Sequence, residues 1–88
     1  MTRLQKGSHV GTVEDGGIVY AARLPMGPIV VLEGIAALIW DEAFAGDRET
    51  ISDRVAAATD AAPDAIRAHV DAFVADLVAR GLLESREA

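Results

Sequence analysis

The chain has 88 residues, of which 51% are hydrophobic and 5% aromatic, and it carries a formal net charge of −6 and no cysteine. A chain of this length forms one small domain with a modest core, so we do not expect a deep cofactor cavity. The lack of cysteine excludes disulfides and thiolate chemistry, and the acidic balance argues against binding to nucleic-acid phosphates or to an anionic membrane surface.

The chain begins with a polar stretch, residues 1–7, for which we expect a mobile tail. A first strand is predicted over residues 10–14, where apolar and polar side chains alternate weakly with a period of two. The Asp-Gly-Gly sequence at residues 15–17 is typical of a hairpin turn, because tight hairpins need backbone with positive φ. The run over residues 18–24 is the second predicted strand.

A second turn and a third strand follow. Proline at position 25 suits the first position of a turn, and Gly27 is free to adopt a left-handed conformation. The third predicted strand, residues 28–32, starts at Pro28 and carries no charge. Because proline cannot donate to a sheet ladder, we expect this strand at the edge of the sheet, where a foreign strand can dock.

The remainder of the chain has helical periodicity. A first helix is predicted over residues 35–44, with a stop at Gly46. Residues 50–53 resemble a capping box and precede a short second helix. The third helix is predicted from Pro63 to Gly81, since proline suits the first helical position and glycine the C-cap.

These elements indicate an α+β fold, in which a three-stranded antiparallel β-meander is followed by three helices in a winged-helix-like order. We expect a single domain over residues 8–84 and a second tail at residues 85–88. No apolar run approaches the ~18 residues of a membrane span, and no apolar signal region follows the polar start, so we expect a cytoplasmic protein.

No set of residues supports catalysis. The two histidines, His9 and His69, fall in different predicted elements, whereas a zinc site needs three or four ligands. No serine has a histidine and a carboxylate at suggestive spacing, and no glycine-rich run precedes a helix as it does in nucleotide sites. We therefore predict a binding protein that is not an enzyme and that uses neither a metal nor a cofactor.

The third predicted helix carries two stripes of interest. Its core stripe consists of Ile66, Val70, Phe73 and Leu77. A second stripe, ~60–90° around the helix at 100° per residue, consists of Arg67, Asp71, Val74 and Val78. Either its two valines simply widen the apolar face, or this flank and the third strand form the walls of a groove.

In such a groove an extended peptide would add as a fourth strand, with alternate side chains packed on the valines and with Arg67 and Asp71 fixing its polarity. The predicted peptide-binding residues are Ile29, Val30, Val31, Leu32, Arg67, Val70, Asp71, Val74 and Val78.

Two segments make the chain similar to a known family. Residues 31–40 resemble the strand-to-helix junction of the PqqD family, and residues 70–83 resemble its closing helix and Gly-Leu ending. PqqD proteins are small chaperones that bind the precursors of ribosomally synthesised and post-translationally modified peptides (RiPPs). The resemblance implies no catalysis and binding of a precursor's leader peptide between the third strand and the third helix. It also implies hand-over to a partner such as a tailoring enzyme or leader protease, for example a radical SAM enzyme or a lasso peptide protease.

Other interpretations stay open. The order of elements also fits an acidic winged-helix regulator or a protein-interaction module, although a third helix with a net charge of −1 would repel DNA phosphates. A gel shift at low salt separates that interpretation from peptide binding. Another alternative is a small subunit permanently docked on an enzyme. Because an exposed strand edge invites self-pairing, we also predict a tendency to form a homodimer, with exchange of the hairpin about residues 25–27 as one route.

Overall fold

A three-stranded antiparallel sheet forms the first part of the fold. The structure is a computed structural model that describes residues 2–86. Strands β2 (Val10–Asp15), β3 (Ile18–Arg23) and β4 (Ile29–Leu32) pair in the order β2-β3-β4, and three helices follow. The predicted α+β class, meander and helix order are confirmed. The likeness to a winged helix stays a prediction.

The two turns of the meander are built differently. Gly16 and Gly17 close the β2–β3 hairpin with φ of 59° and 83°, which confirms the predicted turn. Gly27, in the second turn, does not have a positive φ, so it does not use the left-handed conformation that is open to glycine. Its N–H donates to the Arg23 carbonyl oxygen at 2.6 Å, and a side chain at this position would collide with that oxygen. The close approach of two backbone segments therefore accounts for this glycine.

A second, two-stranded sheet joins the two ends of the described chain. Strand β1 (Arg3–Lys6) pairs antiparallel with β5 (Leu83–Arg86). On β1 the side chain of Leu4 enters the core, and on β5 Leu83 does the same.

The structure corrects the predicted tails at residues 1–7 and 85–88. Both segments contain a strand, because each pairs with the other from the opposite end of the chain. The polarity of a segment does not reveal such a distant pairing. The folded unit therefore extends beyond the predicted boundaries at 8–84. Met1 and residues 87–88 of the predicted tails lie outside the described residues.

The helices are α1 (Ile35–Ala43), α2 (Ile51–Thr59) and α3 (Pro63–Ala79), and a 3-10 turn (Arg48–Thr50) precedes α2. Proline occupies the first position of α3, and Gly81 follows its C-cap with a φ of 77°, as the sequence predicted.

Arg54 organises the connection between α1 and α2. The helix stop predicted at Gly46 and the capping box predicted from Thr50 do not form as expected. Gly46 does not end α1, which stops earlier; it leaves room for the Arg54 guanidinium, which a side chain there would contact. Thr50 occupies the N-cap position of α2 but makes no side-chain capping bond, and its hydroxyl instead donates to the Asp47 carbonyl oxygen at 2.9 Å and accepts from Arg54. Arg54 Nε lies 3.0 Å from Glu42 Oε1, and Nη2 donates to the Glu42 carbonyl oxygen at 2.6 Å.

The core lies between the inner face of the three-stranded sheet and the helices. Its largest fully buried side chains are Leu32, Ile39, Ile51, Val55, Val70, Val74, Leu77 and Leu83. Trp40 is also buried, and its ring meets Phe44 edge to face with 5.1 Å between centroids. Within residues 2–86, none of the helices combines the length and the apolarity that crossing a membrane requires.

Candidate functional site

The outer edge of β4 is open. β4 pairs with β3 on one side, and no other strand of residues 2–86 pairs with its second side. The backbone hydrogen bonds formed by turns and loops of this part of the chain do not involve Ile29 or Val31. An edge of this kind presents unpaired N–H and C=O groups that a further extended chain can satisfy.

The pairing of β2 with β3 shows which backbone groups of β3 face β4. Leu24 donates its N–H to the His9 carbonyl oxygen at 2.7 Å, and these two residues continue the register of the hairpin. Hydrogen-bonded and non-hydrogen-bonded pairs alternate along an antiparallel ladder. Counting back by two from Leu24, every second residue bonds to β2. Val19 and Ala21, the residues between, therefore direct their backbone groups towards β4.

The same alternation applies to β4. The partners of those two β3 residues are Leu32 and Val30, which bond back to β3. Ile29 and Val31 therefore direct their N–H and C=O groups outward, so the open edge offers two donors and two acceptors. Pro28, directly before them, has no N–H to add.

Side chains along β4 alternate between two faces of the sheet. Ile29 and Val31 are 70% and 51% exposed on the outer face, and the row of Val31 continues across the sheet onto exposed Tyr20. Val30 is half-buried and Leu32 is buried on the inner face, which covers the core. A strand added at this edge would place its own side chains alternately on these two apolar faces.

A depression, here called the edge pocket, lies between the connection from β3 to β4, the start of β4, and the C-terminal end of α3. Its walls include Arg23, Leu24, Pro28, Val30, Arg80 and Leu82. The pocket combines apolar walls with two guanidinium groups, so it suits a ligand with both apolar and anionic parts.

The two arginines of the edge pocket differ in their partners. Arg80 Nε lies 2.8 Å from Asp76 Oδ2 on α3. Arg23 forms no ion pair within residues 2–86, and its side chain lies over Gly81 at the C-terminal end of α3, where the helix dipole favours a cation. Glu84 accepts a hydrogen bond of 2.7 Å from the Ser8 N–H, and this bond, with a smaller contribution from Arg23, lowers the pKa of the Glu84 carboxyl.

Three residues of the predicted α3 stripe lie away from the edge pocket. Arg67 pairs with Asp53 of α2 at 3.4 Å and with Asp64 at 3.2 Å. With Asp71 and Val74, it lines a different depression that faces α2 and the 3-10 turn. The structure therefore brings Arg67 and Asp71 together with each other but not with β4.

The valines of α3 belong to the core. Val70 and Val74 are 1% and 2% exposed, and Val78 packs against the buried cluster. At 100° per residue, Phe73 and Arg80 lie on one flank of this buried face and Val78 on the other. The edge pocket contains Arg80 and so lies on the flank opposite to the predicted stripe.

Sequence reasoning missed Arg23 and Leu82 as residues beside the β4 edge. A signal for Arg23 exists, because Val19 and Ala21 are apolar at alternate positions of the same strand, and Arg23 continues their face. No comparable signal exists for Leu82, whose place beside β4 depends on the path of the chain after α3. Within residues 2–86, no three His, Asp or Glu side chains are placed to share a metal ion.

Comparison with known proteins adds one match. The sequence model of a family described as Coenzyme PQQ synthesis protein D (PqqD) matches residues 14–83, which is most of the chain and includes both β4 and α3. No curated protein and no solved structure matches the chain.

Proposed function

Since the chain belongs to the PqqD family, we propose that it binds the leader peptide of a RiPP precursor by β-strand addition to β4 and presents it to a tailoring enzyme or leader protease. Proteins of this family are non-catalytic accessory chaperones that bind peptide substrates and act with biosynthetic enzymes in coenzyme PQQ and RiPP biosynthesis. The family supports a peptide ligand, and the structure supports a particular place for it.

The observation that carries the proposal is the open edge at Ile29 and Val31. Its two outward N–H and two outward C=O groups form the ladder that a fourth antiparallel strand needs. Backbone pairing alone does not distinguish sequences, so specificity comes from the side chains that the peptide directs to the two faces of the sheet.

The edge pocket supports the same position. A peptide side chain opposite Val30 would point to the inner face, between the strand and the end of α3. In an antiparallel ladder this is a non-hydrogen-bonded pair, in which facing side chains approach most closely. The helix wall of the groove is therefore the Arg80 flank of α3, and Arg67 and Asp71 are not part of the proposal in this form.

The test is titration with a synthetic leader of the precursor peptide encoded beside this gene. Val31→Pro removes an outward N–H and places the proline ring on the incoming strand, so we expect it to weaken binding by at least about fivefold, the factor for one lost hydrogen bond of ~1 kcal/mol. Fluorescence anisotropy of the labelled leader measures the dissociation constant.

A matched control lies on the other edge of the same sheet. By the alternation of pairs, Thr12 directs its N–H away from β3, so Thr12→Pro removes an edge donor from β2 without touching β4. We expect Thr12→Pro to leave affinity unchanged, with circular dichroism confirming that both variants fold. Equal affinity of folded Val31→Pro and wild type would sink the proposal.

A further inference from the structure

Within residues 2–86, Arg23 is the cation of the edge pocket that has no ion-pair partner. The ion pairs of residues 2–86 use Arg54, Arg67 and Arg80, and Arg23 is exposed. Its positive charge contributes to the lowered pKa of the Glu84 carboxyl, but Glu84 Oε1 accepts the Ser8 N–H and forms no ion pair with Arg23. An arginine that has no ion-pair partner among the described residues of an acidic protein is available to an anionic group from outside.

The strand register places Arg23 relative to an added peptide. Val19 and Ala21 are buried on the inner face, so Arg23 starts from the same face, and the β3–β4 register continued by one step puts it opposite Pro28. A fourth strand lies two strand spacings from β3, about 10 Å, and an arginine together with an aspartate or glutamate side chain spans that distance.

Antiparallel addition, which continues the pairing of the whole sheet, fixes the spacing along the peptide. If one inner-facing peptide residue lies opposite Val30, the next inner-facing residue is two positions closer to the peptide's C-terminus and lies opposite Pro28. The first position meets the apolar wall of the edge pocket, and the second lies across Pro28 from Arg23.

We infer that the edge pocket selects leader segments with the pattern apolar–x–acidic, in which the apolar side chain packs on Val30 and the carboxylate pairs with Arg23. The inference rests on the proposed function and names the class of peptide that it applies to. Guanidinium and carboxylate groups match in planar, two-pronged geometry, so Arg23 favours aspartate or glutamate over asparagine or glutamine. The other arginine of the edge pocket, Arg80, already pairs with Asp76, so Arg23 is the guanidinium left to pair with a peptide acid.

The experiment uses a phage-displayed library of random 12-residue peptides selected on the intact protein. We expect enrichment of apolar–x–Asp and apolar–x–Glu sequences on the wild type and loss of the acid, but not of the apolar residue, on Arg23→Gln. Arg48→Gln is the matched control, because it removes the same charge and lines a different depression. It should enrich the wild-type pattern.

An enriched peptide then enters a double-mutant cycle by fluorescence anisotropy. Arg23→Gln should weaken binding by about 2- to 5-fold, replacing the peptide acid by its amide should weaken it by the same factor, and the two changes together should cost no more than either alone. The effect should shrink between 50 and 500 mM NaCl, because an exposed ion pair is screened.

The outcomes separate this inference from the proposed function. If peptides enrich on the wild type, depend on Val31 and carry no acid at the second position, the inference is overturned while strand addition stands. If Arg23→Gln and Arg48→Gln change affinity equally, the effect is one of overall charge and Arg23 does not select. If no peptide enriches, and the leader does not bind either, the proposed function itself fails.

Discussion

Arg54 makes more side-chain hydrogen bonds than any other residue of the described chain. Its guanidinium contacts the carboxylate and the backbone carbonyl of Glu42 at the end of α1, and it donates to the Thr50 hydroxyl before α2. The side chains of Arg54 and Glu42 are 25% and 24% exposed, so the pair is partly shielded from water. By contrast, Arg67 and its partner Asp53 are about half exposed, at 51% and 56%.

This contrast predicts different costs for two arginine deletions. We expect Arg54→Ala to lower the free energy of unfolding by about 2 kcal/mol, since it removes several charge-assisted hydrogen bonds and leaves the Glu42 carboxylate partly buried without its partner. Arg67→Ala should cost less than about 0.5 kcal/mol, because exposed ion pairs contribute little. Urea unfolding monitored by Trp40 fluorescence measures both. Equal destabilisation by the two changes would show that burial of the Arg54 pair does not matter.

At the scale of elements, the β1–β5 sheet holds the two ends of the described chain together. The Ser8 N–H bonds to Glu84, and the Thr2 N–H donates to Glu49 Oε1 at 3.0 Å, which lowers the pKa of the Glu49 carboxyl. Because both carboxyl pKa values fall below the ordinary 4.5, the stabilisation from these bonds is present above about pH 4.5 and is lost as the pH falls through the lower folded-state values.

The β1–β5 sheet makes Leu4 important for stability, although the polarity of the surrounding sequence predicted a tail there. Leu4 is 5% exposed, so Leu4→Ala should lower the free energy of unfolding by about 2–3 kcal/mol through lost burial and the cavity left behind. Lys6→Ala, on the same strand with an exposed side chain, should change it by less than about 0.5 kcal/mol. Chemical denaturation compares the two. An unchanged stability of Leu4→Ala would mean that β1 does not dock in solution.

For the whole molecule, the open strand edge favours self-association and the net charge of −6 opposes it. The edge and the exposed outer-face side chains of Ile29 and Val31 favour pairing with a second copy, whereas the charge of the two copies opposes it. Association should therefore strengthen as salt screens the repulsion.

A tendency to dimerise therefore stays a prediction, and the leader peptide should compete with the second copy for the β4 edge. Multi-angle light scattering from micromolar to millimolar concentration should show a rising dimer fraction that is larger at 500 mM than at 50 mM NaCl. If the dimer uses the β4 edge, a saturating leader peptide should convert it to monomer, since both need Ile29 and Val31. A protein that stays monomeric at the highest concentration in high salt contradicts the prediction.

The elements that could be predicted from the sequence are those whose signals are local. The Asp-Gly-Gly turn, the proline at the start of α3 and the glycine after its end each act through the conformation of one or two residues, and all three were predicted. The apolar strand after Pro28 was also visible, because its position at an edge follows from what proline cannot donate. The similarity to the PqqD family could likewise be read from short segments of the chain.

Which surfaces meet depends on how the elements pack in the folded chain. Helical periodicity located both flanks of the buried face of α3 but gave no means of choosing between them, since that choice depends on where α2 and β4 pack. The partner of β1 lies almost the whole chain away, so no local pattern could reveal it. Arg23 likewise became a candidate binding residue only when the register and the end of α3 brought it beside the open edge, because a contact between distant segments is a property of the fold and not of any one stretch of sequence.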